Sequence, residues 1–336
     1  MPYRDVVGHE RVIELLARSI RRDALPPSLI FAGPAGVGKR LIAVATAQLV
    51  NCLTPPSQTG RFDACGTCAA CTRIARGVHA DVLMVQPGDN ESIKLDQVRE
   101  VIDRAGYRPF EGRRRVVIFD EADALIVQGQ NALLKTLEEP PSTSMFILVT
   151  ARPDSLLSTV RSRCPRLGFR ALTPQEIAAV LMQRGRPESV ARATAATADG
   201  SLGRALQMSG SDLVAARDVA QAALERAAAA PDPRRRIEGA KELLANAGSG
   251  GASDREKLAS HLRAMASLVR DVELLSTSAD VRALANADVQ PVLERLIPAF
   301  GGERGARAFS AIDRALVALD RNAGVKIVAD WLVLQL

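Results

Sequence analysis

Eight residues, Gly33-Pro-Ala-Gly-Val-Gly-Lys39-Arg40, follow the pattern G-x-x-x-x-G-K-[ST] at every fixed position except the last. In that pattern the glycines let successive backbone N–H groups face a phosphate, the Lys reaches the β/γ oxygens, and the final hydroxyl holds Mg²⁺. Gly33, Gly36, Gly38 and Lys39 keep the cradle. Arg40 brings a permanent positive charge and no oxygen to the place where a hard cation needs an oxygen ligand. The expectation is a loop built for a nucleotide but not for hydrolysis. Backbone N–H groups and Lys39 do not need the missing hydroxyl, so a phosphate, or ADP without metal, can still be held. Weak or absent ATP binding and no turnover by the isolated chain follow.

Asp120 and Glu121 come directly after the apolar run Val116-Val-Ile-Phe119. In a nucleotide site such an Asp holds Mg²⁺ through water and the Glu orients the attacking water. The same residues suit the first turn of a helix, but a glycine loop upstream favours the nucleotide reading. Cys52, Cys65, Cys68 and Cys71 form C-x₁₂-C-x₂-C-x₂-C. Four thiolates closing on one ion make a structural zinc pattern with no open position for chemistry. An iron–sulfur cluster uses the same ligand type, yet nothing else in the sequence suggests redox chemistry. Cys164 lies outside the cluster, and His9, His79 and His261 lack metal-ligand spacing and read as structural or surface residues. Arg113, Arg114 and Arg115 read as a solvated turn before a strand, with nucleic-acid contact as the alternative.

These residues need elements to hold them. Apolar spacing over 9–22 predicts a helix, Pro26-Pro27 breaks it, and Ser28-Leu-Ile-Phe-Ala32 is a short strand leading into the glycine loop and a helix over 38–51. Strands at Asp81–Val85, Arg114–Phe119 and Met145–Thr150 alternate with helices at 95–105 and 126–138, giving roughly five βα units. That alternation predicts an α/β fold with a parallel sheet. Strands are expected to stop there, and from Thr173 onward the pattern is helical, opening with the capping box Thr173-Pro-Gln-Glu176. A Gly/Ser-rich break at 248–253 interrupts Ala-rich helices that carry no cluster resembling an active site.

Hydrophobic residues make up 47% of the chain and aromatics only 3%, so the cores are aliphatic, as in helices and parallel sheets. A net charge of +6 mildly favours polyanionic neighbours. The N-terminus does not read as a signal peptide, and no apolar run is long enough for a membrane span, so a cytoplasmic protein is expected. Five cysteines are too few and too clustered for a secreted disulfide framework.

Together, Val7-Gly-His-Glu10, the glycine loop, the four-cysteine insertion, Asp120-Glu-Ala-Asp123, Asn131-Ala-Leu-Leu-Lys-Thr-Leu-Glu-Glu-Pro-Pro141 and Ser162-Arg-Cys164 closely resemble the clamp-loader branch of the AAA+ ATPases. The resemblance is dense over about residues 5–205, and Asn322-Ala-Gly-Val-Lys-Ile-Val-Ala-Asp-Trp-Leu is similar to the family's last helix. It implies a P-loop AAA+ domain at 1–170 with a zinc-binding insertion at about 52–80, a helical lid at 171–210 and a helical collar for oligomerisation at 211–336. It further implies a subunit of the replicative DNA polymerase III holoenzyme that helps load the sliding clamp onto primed DNA. Its partners would be gamma/tau and delta subunits in a hetero-oligomer, a pentamer by the family pattern, met through collar and AAA+ domains and away from any membrane.

Carried over by position, Ser162-Arg163-Cys164 matches the motif whose arginine is presented to the nucleotide of an adjacent subunit. Such a finger neutralises charge developing on the transferred phosphoryl group. Thr150 matches the first sensor, and Gly200-Ser-Leu-Gly-Arg204 resembles the second with its Arg one residue later than in active subunits. A DNA-directed DNA polymerase, or nucleotidyltransferase, label would belong to the holoenzyme, because no carboxylate pair suited to that chemistry is evident. Two other readings remain. One is an active gamma/tau-type ATPase motor of the same complex. The other is a zinc-dependent nucleic-acid-binding module, which would need basic and aromatic residues in the insertion; residues 52–80 hold Arg61, Arg73 and Arg76 but only Phe62.

Overall fold

Five parallel strands, β1 (Ser28–Ala32), β2 (Val82–Val85), β3 (Arg115–Phe119), β4 (Ser144–Thr150) and β5 (Arg166–Gly168), form one sheet in the order β2-β3-β4-β1-β5. The computed structural model describes the chain except residues 55–61, 89–90, 230–231, 245–251 and 278–283. Both faces of the sheet are covered, which explains why the central strands read as unbroken apolar runs. Along β1, Leu29 and Phe31 face one core while Ile30 and Ala32 face the other, and Ile147 against Leu148 repeats the alternation in β4. The first core is closed by α1 (Glu10–Arg21), α2 (Lys39–Asn51) and α3 (Ala69–Ala75). The second is closed by α4 (Leu95–Ala105), α5 (Val127–Glu138) and α6 (Ser158–Arg161).

The expected strands and helices of this region are present, with α3, α6 and β5 as additions. β5 pairs with β1, Ile30 opposite Arg166, although strands were expected to end at Thr150. Its Arg-Leu-Gly sequence is short and largely exposed, so no apolar pattern marks it.

The chain separates into two compact units, Met1–Leu172 and Thr173–Leu336. The second begins with α7 (Pro174–Gln183), α8 (Glu188–Thr197) and α9 (Leu202–Gln207). Thr173 accepts the Glu176 N–H at 3.2 Å while the Glu176 carboxylate accepts the Thr173 N–H at 2.7 Å, completing the reciprocal cap. Then follow α10 (Gly210–Ala229), α11 (Pro233–Leu243), α12 (Ala252–Ser276), α13 (Gln290–Phe300), α14 (Glu303–Asp320) and α15 (Val325–Gln335). Leu224, Leu262, Met265, Leu268, Phe300, Ile312 and Leu332 sit in their shared core. Most of the Gly/Ser-rich break at 248–253 lies outside the described residues. Among those described, no helix is long and apolar enough to cross a membrane.

Of the three arginines expected as a solvated turn, Arg113 is exposed and Arg114 half-buried, but Arg115 opens β3. Arg115 is buried and donates to the fully buried carboxylate of Asp81 at 2.9 Å, Arg114 pairs with Asp23 at 2.7 Å, and Arg113 donates to the Cys52 carbonyl at 3.1 Å. Asp81 also accepts the N–H groups of Phe110, Glu111 and Gly112 at 2.7 to 2.8 Å, so one carboxylate fixes the whole approach to β3. Burial opposes its charge, but those donors and Arg115 hold its carboxyl down to about 2.

A folded-state value below the unfolded one stabilises the protein above pH ~4 and loses that contribution as pH falls toward 2, an amount of about 2–3 kcal/mol. Asp81→Asn is expected to lower unfolding stability in urea by at least that much at pH 7, with the gap to the native chain narrowing through this acid range. A gap independent of pH would show that Asp81 is not held ionised by its neighbours.

Candidate functional site

The glycine loop leaves β1 beside the carboxyl end of β4, and the Gly33 N–H donates to the Thr150 carbonyl at 3.2 Å. Gly33 has a φ of +158°, and a Cβ there would overlap the carbonyl oxygen of Phe169. Gly38, with a φ of +105°, makes the left-handed turn into α2. Buried His9 packs its ring edge on Phe169, centroids 5.0 Å apart, and its Nε2 lies 2.9 Å from the Val37 carbonyl. His9 is therefore a brace under the loop, not a surface residue.

Lys39 is buried, and its Nζ donates to the carbonyls of Gly33 and Pro34 at 2.6 and 2.5 Å. Burial pushes its pKa down, while the charges of Asp123 and Asp120 oppose that shift. The ammonium thus closes the loop on itself, over contacts that a phosphate could replace.

Arg40 occupies the first turn of α2, where the helix dipole disfavours a cation. Its Nη1 lies 3.2 Å from Asp120 Oδ2, and the same oxygen accepts Gln86 Nε2 at 3.2 Å. The guanidinium, about half exposed, stands where the hydroxyl and the cation would act together. This donor set does not fit Mg²⁺. Position 40 offers no oxygen, and the Asp120 oxygen is already engaged by two donors. Glu121 adopts a left-handed conformation with a φ of +54°, and its pKa is raised by burial, then by Asp120 and Asp123. Thr150 Oγ1 donates to Asp123 Oδ1 at 2.9 Å, and Arg152 Nε donates to Asp123 Oδ2 at 3.0 Å. Asp123, Thr150 and Arg152 thus form a closed set beside the Asp120 pair.

Arg163 and Arg204 are the remaining sequence candidates. Arg163, just before β5, ion-pairs with Glu138 and donates to the Thr159 carbonyl at 2.8 Å. Arg204, in the second unit, donates to the Ala198 carbonyl at 3.0 Å and lies 3.8 Å from Glu256, and burial, with Arg263 nearby, lowers its pKa.

The sulfur atoms of Cys52, Cys65, Cys68 and Cys71 all lie within 4.8 Å of one another, and Cys65 and Cys71 are 4.0 Å apart. A metal–sulfur bond of about 2.3 Å in a tetrahedron sets a sulfur spacing of ~3.8 Å, so the four fit one ion. The Cys65 N–H donates to Cys52 Sγ at 3.3 Å, Cys68 N–H to Cys65 Sγ at 3.3 Å and Cys71 N–H to Cys68 Sγ at 3.5 Å. Against the effect of burial, N–H groups of Cys68 and Thr67 hold the Cys65 thiol down to about 5. Asp63 secures this knuckle to the N-terminus by accepting the Tyr3 and Arg4 N–H groups, both at 3.0 Å. Phe62 is covered by the Arg21 guanidinium, 5.0 Å from its centroid, and Arg73 pairs with Glu111 at 2.7 Å; Arg61 lies outside the described residues. The described part of the insertion offers no open stacking platform.

Gln86 and the Asp123 partnership were missed in the sequence, while His9 was expected only as a structural or surface residue. Gln86 follows β2 at the sheet's carboxyl edge, where ligands of α/β sheets bind, and that position was the available signal.

Residues 8–173 match the family model described as DNA polymerase III, delta subunit. The chain is 35% identical over 175 residues to DNA polymerase III subunit tau of Bacillus subtilis, covering 52% of this chain and 30% of that one. It is also 35% identical over 182 residues to DNA polymerase III subunit delta' of the same organism, covering 54% of each. The chain thus spans about half or less of the length of these curated relatives. A solved DNA polymerase III gamma subunit-related protein from Thermotoga maritima is similar with 18% identity and a TM-score of 0.44, covering 96% of this chain and 97% of that one. Residues 8–173, just under half of the chain, are thus similar to the DNA polymerase III delta-subunit family and to the tau and delta' relatives.

Proposed function

We propose that this chain is a delta-prime-type subunit of the bacterial DNA polymerase III clamp loader, working in the cytoplasm without ATPase activity of its own. The observation that carries this reading is the Arg40–Asp120 ion pair, which puts a fixed guanidinium where a hydrolytic site needs a hydroxyl and a cation. Gly33, Gly36, Gly38 and Lys39 remain as scaffold or as a metal-free seat for phosphate, with Asp120, Glu121 and Thr150 as vestiges of the catalytic set. In this reading the chain consists of a AAA+ domain (1–170), a lid (171–210) and a collar (211–336), and it joins gamma/tau and delta subunits in loading the sliding clamp onto primed DNA. The equal identity to the tau relative favours a second reading, an active motor subunit; Arg40 weighs against it.

Arg163 is the residue through which the chain would act on chemistry. Its Glu138 partner is partly exposed, so the pair is weak and exchangeable, and a neighbour's γ-phosphate would replace a carboxylate by a stronger acceptor. Arg204 would contribute little to a nucleotide, being engaged with the Ala198 carbonyl. The four thiols would hold zinc as a closed structural ion that fastens the insertion to the N-terminal segment.

Two outcomes are expected. Mixed with gamma/tau and delta subunits, the native chain should support DNA-stimulated ATP hydrolysis. Arg163→Ala should remove most of the turnover at the site it serves, where a finger is worth about 10³–10⁵ in rate, without lowering the melting temperature. Unchanged hydrolysis would contradict the trans role. Elemental analysis of reduced, purified protein should give one zinc per chain, lost in Cys68→Ser. Metal-free protein with four freely reactive thiols, or bound iron, would contradict the zinc assignment.

A further inference from the structure

Three helices of the second unit surround a cavity of about 430 Å³ that shares no residue with the glycine loop. α14 supplies Arg304, Arg307 and Arg314, α11 supplies Arg236, and the end of the chain beyond Val333 closes one side. Spacings of three and seven residues put the α14 arginines on one helix face. Arg304 and Arg314 lie over the rings of Phe300 and Trp331, 5.5 and 5.2 Å from the centroids. Stacking of this kind leaves guanidinium edges, with their N–H donors, available to a ligand.

Among the described residues, no Asp or Glu side chain lines the cavity. Among the described residues, Arg307 and Arg314 have no carboxylate partner, and Arg304 donates to a main-chain carboxylate oxygen of Leu336, the last residue of the sequence, at 3.4 Å. Like charges gathered on one small concavity repel one another, and a dense anion is what relieves them. Phosphates offer several acceptor oxygens per group to forked donors. The rest of the described lining, Ser310, Ala311, Leu334, Gln335 and Leu336, has no aromatic face on which a base could stack.

We propose that this cavity binds linked phosphates without regard to base, presented by the backbone of single-stranded DNA or by free polyphosphate. The full chain carrying Lys39→Ala, which silences the glycine loop, is compared with the same chain also carrying Arg307→Gln and Arg314→Gln. The probes are labelled oligothymidylate, oligodeoxyadenylate and inorganic tripolyphosphate, read by anisotropy and calorimetry, with melting temperatures confirming that both proteins fold. The double substitution should weaken binding at least about fivefold and reduce the salt slope for single strands by about 1.4, since each phosphate contact accounts for about 0.7. Thymine and adenine strands should bind alike. Loss confined to the oligonucleotides assigns the site to nucleic acid, loss confined to tripolyphosphate assigns it to a free ligand, and both support it. Unchanged affinity for every phosphate probe, or tighter binding of an Asp/Glu-rich peptide of equal charge, overturns the proposal.

Discussion

Parallel pairing of β1 with β4 and of β4 with β3 brings the carboxyl ends of these strands to one edge, and the candidate nucleotide site hangs from that edge. Gly33 follows β1, Asp120 follows β3 and Thr150 ends β4, so three segments far apart in sequence meet without any loop having to find its place alone. The sheet can impose this because both its faces are buried. A slip of one residue would turn Phe31 and Ile30 into each other's core.

On that edge, one substitution redistributes the electrostatics. A hydroxyl at position 40 would leave Asp120 to a divalent cation; the guanidinium takes the carboxylate for itself and brings its charge along. Being half exposed, the pair adds little to stability, on the order of 0.2–1 kcal/mol, so its consequence is occupancy rather than strength. A metal bound at Asp120 Oδ2 must displace Arg40 and Gln86 from that oxygen and then finds no side-chain oxygen at position 40. The surrounding polar set is self-contained, with Lys39 on loop carbonyls and Thr150 on Asp123. Arg163 lies outside this set, held by the partly exposed Glu138 carboxylate, the Thr159 carbonyl and the Ser162 hydroxyl.

Much of this was legible in the sequence because the signals are local. Apolar runs at Ser28–Ala32 and Met145–Thr150, helical spacing over 95–105, and the cysteine intervals each report on a few neighbouring residues. What failed depended on distant partners. Arg115 looks like part of a solvated charge run until the buried Asp81 is seen against it. His9 acquires a role only through Val37 and Phe169, and β5 is a strand because β1 offers it an edge, not because Arg-Leu-Gly favours one. Arg40 and Asp120 were each recognisable, but their pairing was not.

The central claim is that Arg40 excludes the metal while the loop stays able to hold phosphate. The direct measurement is nucleotide affinity by calorimetry, with and without Mg²⁺, for the native chain and for Arg40→Thr. Native affinity for ADP should be the same with and without the cation, and Arg40→Thr should gain about tenfold when Mg²⁺ is added, as a restored hydroxyl and a freed Asp120 gain a shared ligand. Native protein that binds ATP many-fold more tightly with Mg²⁺, or hydrolyses it in a manner abolished by Lys39→Ala, would contradict the account.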